Sequence, residues 1–410
     1  MDEGKRGRDA IVKYYEERKS CRSCGEVELI DFYQKTDIPV AGIYYNDGES
    51  KVNIQAPMNV VFCKTCGLIQ LRETISSDIY KDYSFVGNSA ASYKKYLEQF
   101  SLDLVEKWGV FRKNVYEIGA SNGVLLSYLR QQGENNVSGI EPSLKLCEAA
   151  HDLGVDIQQG YFGSQMLSEK PVGKVDCVII RHVLEHIDNL KDMISSVKQI
   201  ISDQGLLVIE VPNVKRILDE FLFSNLFHEH LNYFSIESLN FLLHQFGFEV
   251  IEFTEVDIHG GSILAFYKLR NVGSEHQNFI NSDDLEAAIS RFSNHANNYY
   301  ESLTKLVYSL RSKNLIVHGY GASHRTFVLL GNSNLTEADI PILYDNNSFL
   351  WNKRLNGSGS LVMPIETIEN NAPDAIIIFA TSYENEIVQV LKSKCNYQGQ
   401  IISIKYPLLF

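Results

Sequence analysis

Residues 114–123 read NVYEIGASNG, an apolar run that ends on an acid and turns through Glu117-Ile-Gly119-Ala-Ser-Asn122-Gly123. Glycines let a backbone approach a ligand closely, and 24 residues after Glu117 a second apolar run ends on Glu141, in GIEPS. An acid at the end of a second strand suits the two hydroxyls of a ribose. The pattern E-x-G-x-x-x-G lacks the G-x-G-x-x-G spacing that seats a pyrophosphate on a helix N-terminus, which favours S-adenosylmethionine over NAD. Glu117, Gly119, Asn122, Gly123 and Glu141 are therefore candidate cofactor contacts. Tyr161 in QQGYF and His182 after the apolar run CVII complete the set.

Outward from this turn, short apolar runs alternate with amphipathic stretches, the texture of βαβ units around a parallel sheet. The strands are expected at 114–118, 137–141, 175–180 and 205–211, with EVIEFTEV and SILAFYKL as an antiparallel pair closing one edge. Such a sheet binds its ligand at the carboxyl ends of its strands. His182-Val-Leu-Glu185-His186 matches the H-x-x-E-H metal signature, but that signature needs a continuous helix, and these residues leave a strand through a turn. A role in shaping the cofactor pocket is expected there instead.

Upstream, Cys21-Arg-Ser-Cys24 and Cys63-Lys-Thr-Cys66 form two CxxC knuckles, each followed by a glycine suited to a tight turn. Four sulfurs close a tetrahedral zinc site, which is structural because no position is left for water. Cys147, Cys177 and Cys395 stand singly in apolar segments and read as core thiols. Downstream, a polar stretch of helical period from about Asp283 to Ser312 reads as a connecting helix. NLIVHGYGASH then opens a last α/β unit with three more strands in PILYDNN, APDAIIIFAT and QIISIKYP. The expected organisation is α/β: a zinc-binding module (1–88), a Rossmann-like domain for S-adenosylmethionine (89–270), the helix (271–312) and a C-terminal Rossmann-like α/β domain (313–410).

A formal charge of −13 disfavours nucleic acid, and no run of eighteen apolar residues or secretory leader is visible. A cytoplasmic protein without a membrane partner is expected. The 44% hydrophobic content can fill real cores.

The CxxC pairs, EIGASNG, IEPS, NLFHEHLNYFS (225–235), IHGGS (258–262) and GYGAS (319–323) together resemble the sugar C-methyltransferases, which act on nucleotide-linked deoxy-sugars. The resemblance covers essentially the whole chain. It implies a class I methyltransferase domain and a dTDP-, GDP- or CDP-linked keto-sugar as substrate. It also implies a base that removes the hydrogen next to the ketone to give an enolate, which then takes the methyl group. Carried over by position, the base falls on His230, the group orienting it on Glu229, and a sugar contact on Tyr83. Phe227, His259, Gly260, Gly321 and Arg325 fall on the substrate side. A histidine suits the task because its proton affinity lies near working pH. His228 has no fixed counterpart and reads as a core-satisfied or solvated ring.

The chain departs from the family at several points. Phe227 stands where a tyrosine is expected, Leu264 replaces an arginine, Arg325 replaces a lysine, Thr381-Ser382 replaces a Trp-Asn pair, and Gly160 stands in place of an acid. These changes fall mostly on the substrate side, so transfer to oxygen or nitrogen, or a nucleotide-sugar-binding protein without catalysis, stay open as alternatives.

Overall fold

The structure is a computed structural model that describes residues 14–76, 79, 91–270, 282–370 and 372–405. The central sheet has seven strands in the order Phe248–Val256, Ser262–Leu269, Ile201–Pro212, Val175–Arg181, Asn114–Ile118, Asn136–Glu141, Asp156–Gln159. Ser262–Leu269 runs antiparallel to both neighbours and the other pairings are parallel. The expected strands all form; Asp156–Gln159 is an additional edge strand, too short and polar to stand out in sequence. The order of strands reverses between Asn114–Ile118 and Val175–Arg181, so their carboxyl ends diverge and leave a crevice above Glu117 and His182.

The N-terminal and C-terminal parts are interlaced rather than strung in series. An antiparallel four-stranded sheet joins Leu29–Pro39, Gln55–Cys63 and Ile69–Leu71 to Asn232–Tyr233, from the block that follows the central sheet's last parallel strand. Tyr44–Asn46, within the expected zinc-binding module, instead pairs antiparallel with Lys353–Leu355 at the edge of the C-terminal seven-stranded sheet. The helix Ser282–Arg311 buries Leu285, Ile289, Phe292, Ala296, Tyr299, Tyr300 and Leu303 on one face, at the three-to-four-residue spacing of an amphipathic helix. It shares one core with Met58 and Phe62 on the N-terminal side and Phe327 and Leu343 on the C-terminal side. The expected connector is therefore a central packing element. No helix among the described residues is long and apolar enough to cross a membrane.

Candidate active site

Gly119 and Gly123 turn the chain out of the first central strand with φ of 73° and 72°. A Cβ on Gly119 would lie 2.4 Å from Val183 Cγ2, and one on Gly123 would lie 2.8 Å from the Ala150 Cβ, so both turns need glycine. Glu141 holds the turn from the next strand: its carboxylate accepts the Ser121 N–H at 3.1 Å and the Ser143 N–H at 2.9 Å. Asn122 is half-buried and Tyr161 is 76% exposed.

Below the turn lies a buried charged network. Glu117 is 3% exposed, its Oε2 has no hydrogen-bond partner, and burial pushes its carboxyl up to about 8 against the pull of Arg181. Arg181 Nε donates to Glu210 Oε2 at 2.6 Å, and its Nη2 donates to the Tyr93 hydroxyl at 3.1 Å. His182, in the left-handed region at φ 52°, lies between Glu210 (3.2 Å) and Glu185 (3.4 Å). Burial alone would lower its pKa, but these two carboxylates hold it up at about 9, so the ring is protonated at neutral pH.

Leu184–His186 forms a single 3₁₀ turn, so the H-x-x-E-H residues occupy no continuous helix. Asn232 joins this turn to the His-Glu-His block, its Nδ2 donating to the carbonyls of Leu184 at 3.0 Å and Ile187 at 2.8 Å. The Phe227 N–H donates to the Tyr233 hydroxyl at 3.1 Å, fixing the start of the block. His228 is a core residue, 1% exposed, with Nε2 bonded to the Pro57 carbonyl at 3.1 Å. His230 packs on Phe227 with ring centroids 4.0 Å apart and meets His186 edge-on at 4.9 Å. Its buried Nδ1 has no partner. Burial, then the neighbouring His186, His324, His182 and Arg325, push its pKa well below the usual imidazole value, so the ring is neutral.

Glu229, expected beside His230, places Oε1 2.9 Å from Nε2 of His324, at the start of the C-terminal helix His324–Asn332. Its main-chain carbonyl bonds His186 Nδ1 at 2.9 Å. Arg325 donates to the Ser382 hydroxyl at 2.8 Å and to the His259 carbonyl, and among the described residues no carboxylate pairs with it. Burial lowers its pKa accordingly. Gly260, at φ 93°, lies against Arg325, and Gly321 turns at φ 99° with its Cβ position 2.8 Å from the Ala380 Cβ. His259 is tilted against Tyr93 and edge-on to His182, with ring centroids 5.1 and 4.7 Å apart, and burial pushes its pKa down to about 3. A cavity of about 330 Å³ opens here between Tyr93, Arg216 and His259–Gly261 on one side and Ser382, Tyr383 and Glu386 on the other. Tyr83 lies outside the described residues.

At the N-terminal end, Sγ of Cys21 and Cys66 are 3.4 Å apart and those of Cys24 and Cys63 are 3.5 Å apart, with no disulfide formed. Gly25 and Gly67 donate back to the Cys21 and Cys63 carbonyls, the knuckle geometry expected of the sequence. This set of sulfurs can hold one tetrahedral metal ion. Cys147 and Cys177 are buried and Cys395 is half-buried. Sequence reasoning gave no role to Arg181 or Glu210, and only a share in shaping the cofactor pocket to Glu185 and His186. Their signal was positional: all sit at the carboxyl ends of the two strands beyond the switch point, or in the turn that follows.

Residues 21–80 match the family model described as "Putative zinc binding domain", 90–253 match "Methyltransferase domain" and 257–404 match "C-methyltransferase C-terminal domain". The chain is 27% identical over 396 residues to the C-methyltransferase NovU of Streptomyces niveus, covering 93% of this chain and 94% of that protein. Among solved structures, the PH0226 protein of Pyrococcus horikoshii OT3 aligns with 14% identity over 47% of this chain and 98% of its own, at TM-score 0.37. The magnesium protoporphyrin IX methyltransferase of Synechocystis PCC 6803, with bound SAH, aligns with 20% identity over 44% of this chain and 84% of its own, at TM-score 0.35. The chain is an S-adenosylmethionine-dependent methyltransferase and a homologue of the C-methyltransferases.

Proposed function

We propose that the enzyme methylates a carbon next to the ketone of a nucleotide-linked keto-deoxy-sugar, with His230 as the base. The observation that carries this reading is the state of His230: neutral, packed on Phe227, and held by the Asn232 bonds against the turn that leaves the cofactor-side strand. A ring kept unprotonated at neutral pH is ready to accept a proton, and a ketone acidifies the hydrogen beside it enough for an imidazole to remove it. When bound, S-adenosylmethionine supplies the sulfonium methyl group that the resulting enolate carbon displaces. Gly119, Gly123, Glu117 and Glu141 hold this donor at the strand ends.

The substrate's diphosphate is assigned to Arg325. A desolvated guanidinium without a carboxylate is an open anion site, and its fork is shaped for phosphate oxygens. His259, Gly260 and Gly321 surround it, and the adjoining cavity leaves space between the two α/β parts. We assign Cys21, Cys24, Cys63 and Cys66 to one structural zinc ion.

The test uses dTDP-4-keto-6-deoxyglucose in D₂O with S-adenosylhomocysteine. The wild-type enzyme is expected to exchange the hydrogen beside the ketone, and His230→Asn is not. With S-adenosylmethionine, the product should carry a new C–CH₃ connectivity by NMR. A panel of dTDP-, GDP- and CDP-linked keto-sugars that gives neither exchange nor donor consumption refutes the reading.

A further inference from the structure

A base that collects a proton near protonated His182 and Arg325 needs a compensating anion, and Glu229 is drawn toward His324. The turn Leu184–His186 supplies another carboxylate. One oxygen of Glu185, a ring nitrogen of His186 and a ring nitrogen of His230 all lie within 4.8 Å of one another. Glu185 is 1% exposed, and its Oε2 is buried without a partner, as is His230 Nδ1. Its other oxygen faces His182 Nδ1 at 3.4 Å, and His182 in turn leans on Glu210 and through it on Arg181.

We propose that Glu185 is the positioning carboxylate of His230, stabilising the imidazolium that forms when the ring takes a proton from the carbon beside the substrate's ketone. The proposal rests on the assignment of His230 as base. In that step the C–H bond breaks, its electron pair passes to the carbonyl oxygen as enolate, and the proton goes to a ring nitrogen of His230. Glu185 remains a carboxylate facing the new charge. A charge of opposite sign within about 4–6 Å favours the charged form of a titrating group by 1–3 pH units. The effects of His186, His324, His182 and Arg325 on His230 all disfavour its protonated form.

The same three donors are also spaced to receive a metal ion. Protonated His182 and Arg325, which already disfavour a charge on His230, argue against it, because they would repel a dication placed there. The two occupants are separable by experiment.

The first measurement needs no substrate. NMR of ¹⁵N-histidine-labelled enzyme with S-adenosylhomocysteine follows the titration of the His230 ring in wild type, Glu185→Gln and Glu185→Asp. Removing the carboxylate is expected to lower the His230 midpoint by about 1 pH unit, with the aspartate variant in between. Retained S-adenosylhomocysteine affinity in the glutamine variant shows that the fold is intact. The second measurement is hydrogen exchange on dTDP-4-keto-6-deoxyglucose. Glu185→Gln should slow it on the order of 10–100-fold at pH 7 and move its acid limb to lower pH, because a weaker base also resists protonation by solvent. An unmoved His230 midpoint overturns the inference whatever the fate of the sugar. So does a second metal equivalent that the wild type binds and Glu185→Gln loses. If no keto-sugar exchanges in the wild type, the proposed substrate falls, and the ring titration still decides the partnership.

Discussion

Glu117 offers a stability test of the cofactor site that requires no substrate. Its carboxyl is buried, one oxygen is unpartnered, and its pKa rises to about 8 from an ordinary carboxylate value near 4.5. The upper bound on the linked free energy is about 5 kcal/mol, from 1.36 kcal/mol per pH unit. A folded-state pKa above the unfolded value means that the folded protein holds the proton more tightly. This stability is fully present below about pH 4.5 and is lost as pH rises through about 8. Between pH 5.5 and 8 the enzyme without ligand should lose on the order of 3 kcal/mol to this group. Globular proteins gain about 2 cal/mol/K per residue on unfolding, so for this length 1 kcal/mol moves Tm by roughly 1 °C, and the expected fall is about 3 °C. Glu117→Gln removes the ionisable group at nearly constant shape. His182, raised to about 9, adds a slope of the same sign to both proteins, so the difference between them isolates Glu117. The assay is thermal unfolding at pH 5.5, 6.5, 7.5 and 8.5 with and without S-adenosylmethionine. The positive donor favours the ionised carboxylate and should flatten the wild-type slope. Parallel wild-type and Glu117→Gln curves would refute the argument that burial governs this carboxyl.

Arg325→Met should weaken nucleotide-sugar binding on the order of 10–100-fold while leaving S-adenosylmethionine affinity unchanged, as calorimetry with each ligand will show. His228→Ala should cost about 2–4 kcal/mol by urea unfolding, since it empties a core position and leaves the Pro57 carbonyl without its donor, with KM unchanged. Cys63→Ser should abolish a stoichiometric zinc ion measured by elemental analysis and loosen the N-terminal sheet, seen as loss of amide protection over 55–71. Asp188→Ala should destabilise the protein by about 3–5 kcal/mol in denaturant unfolding, because it strands the buried Arg22 guanidinium 3.0 Å away.

The central sheet was legible because its parallel strands are apolar runs, buried toward their carboxyl ends and closed by acids and glycines, as in NVYEIGASNG and VSGIEPS. The cysteine knuckles were legible for the opposite reason, since their chemistry is local. The crossing of Tyr44–Asn46 to the C-terminal sheet could not be read, because three residues carry no periodicity and their pairing is decided by a partner some 300 residues away. The partners of Glu229 and His230 were hidden for the same reason. The His-Glu-His block names the residues, but Asn232 decides which turn they face and His324 decides where Glu229 reaches. His228 was legible only as one of two outcomes, and the fold chose the core.

The interlacing also explains why a methyltransferase should carry a zinc-binding module far from the cofactor in sequence. The turn Leu184–Asp188 has little structure of its own, one 3₁₀ turn with one residue, Glu185, proposed to position the base. It is gripped from both flanks. Asn232 takes the carbonyls of Leu184 and Ile187, and Asp188 accepts from Arg18 at 2.7 Å, Arg22 at 3.0 Å and Thr74 at 2.9 Å. Arg22 lies between Cys21 and Cys24, so the cysteine knuckle sets the position of its guanidinium, and Asn232 belongs to the strand that pairs with Ile69–Leu71 of the same module. Both grips thus draw on the N-terminal module: Arg18, Arg22 and Thr74 belong to it, and Asn232 pairs with its strand Ile69–Leu71. A turn held this way can keep Glu185 and His186 in register with His230 without a helix beneath it, a positional task that the four-cysteine module performs from outside the site.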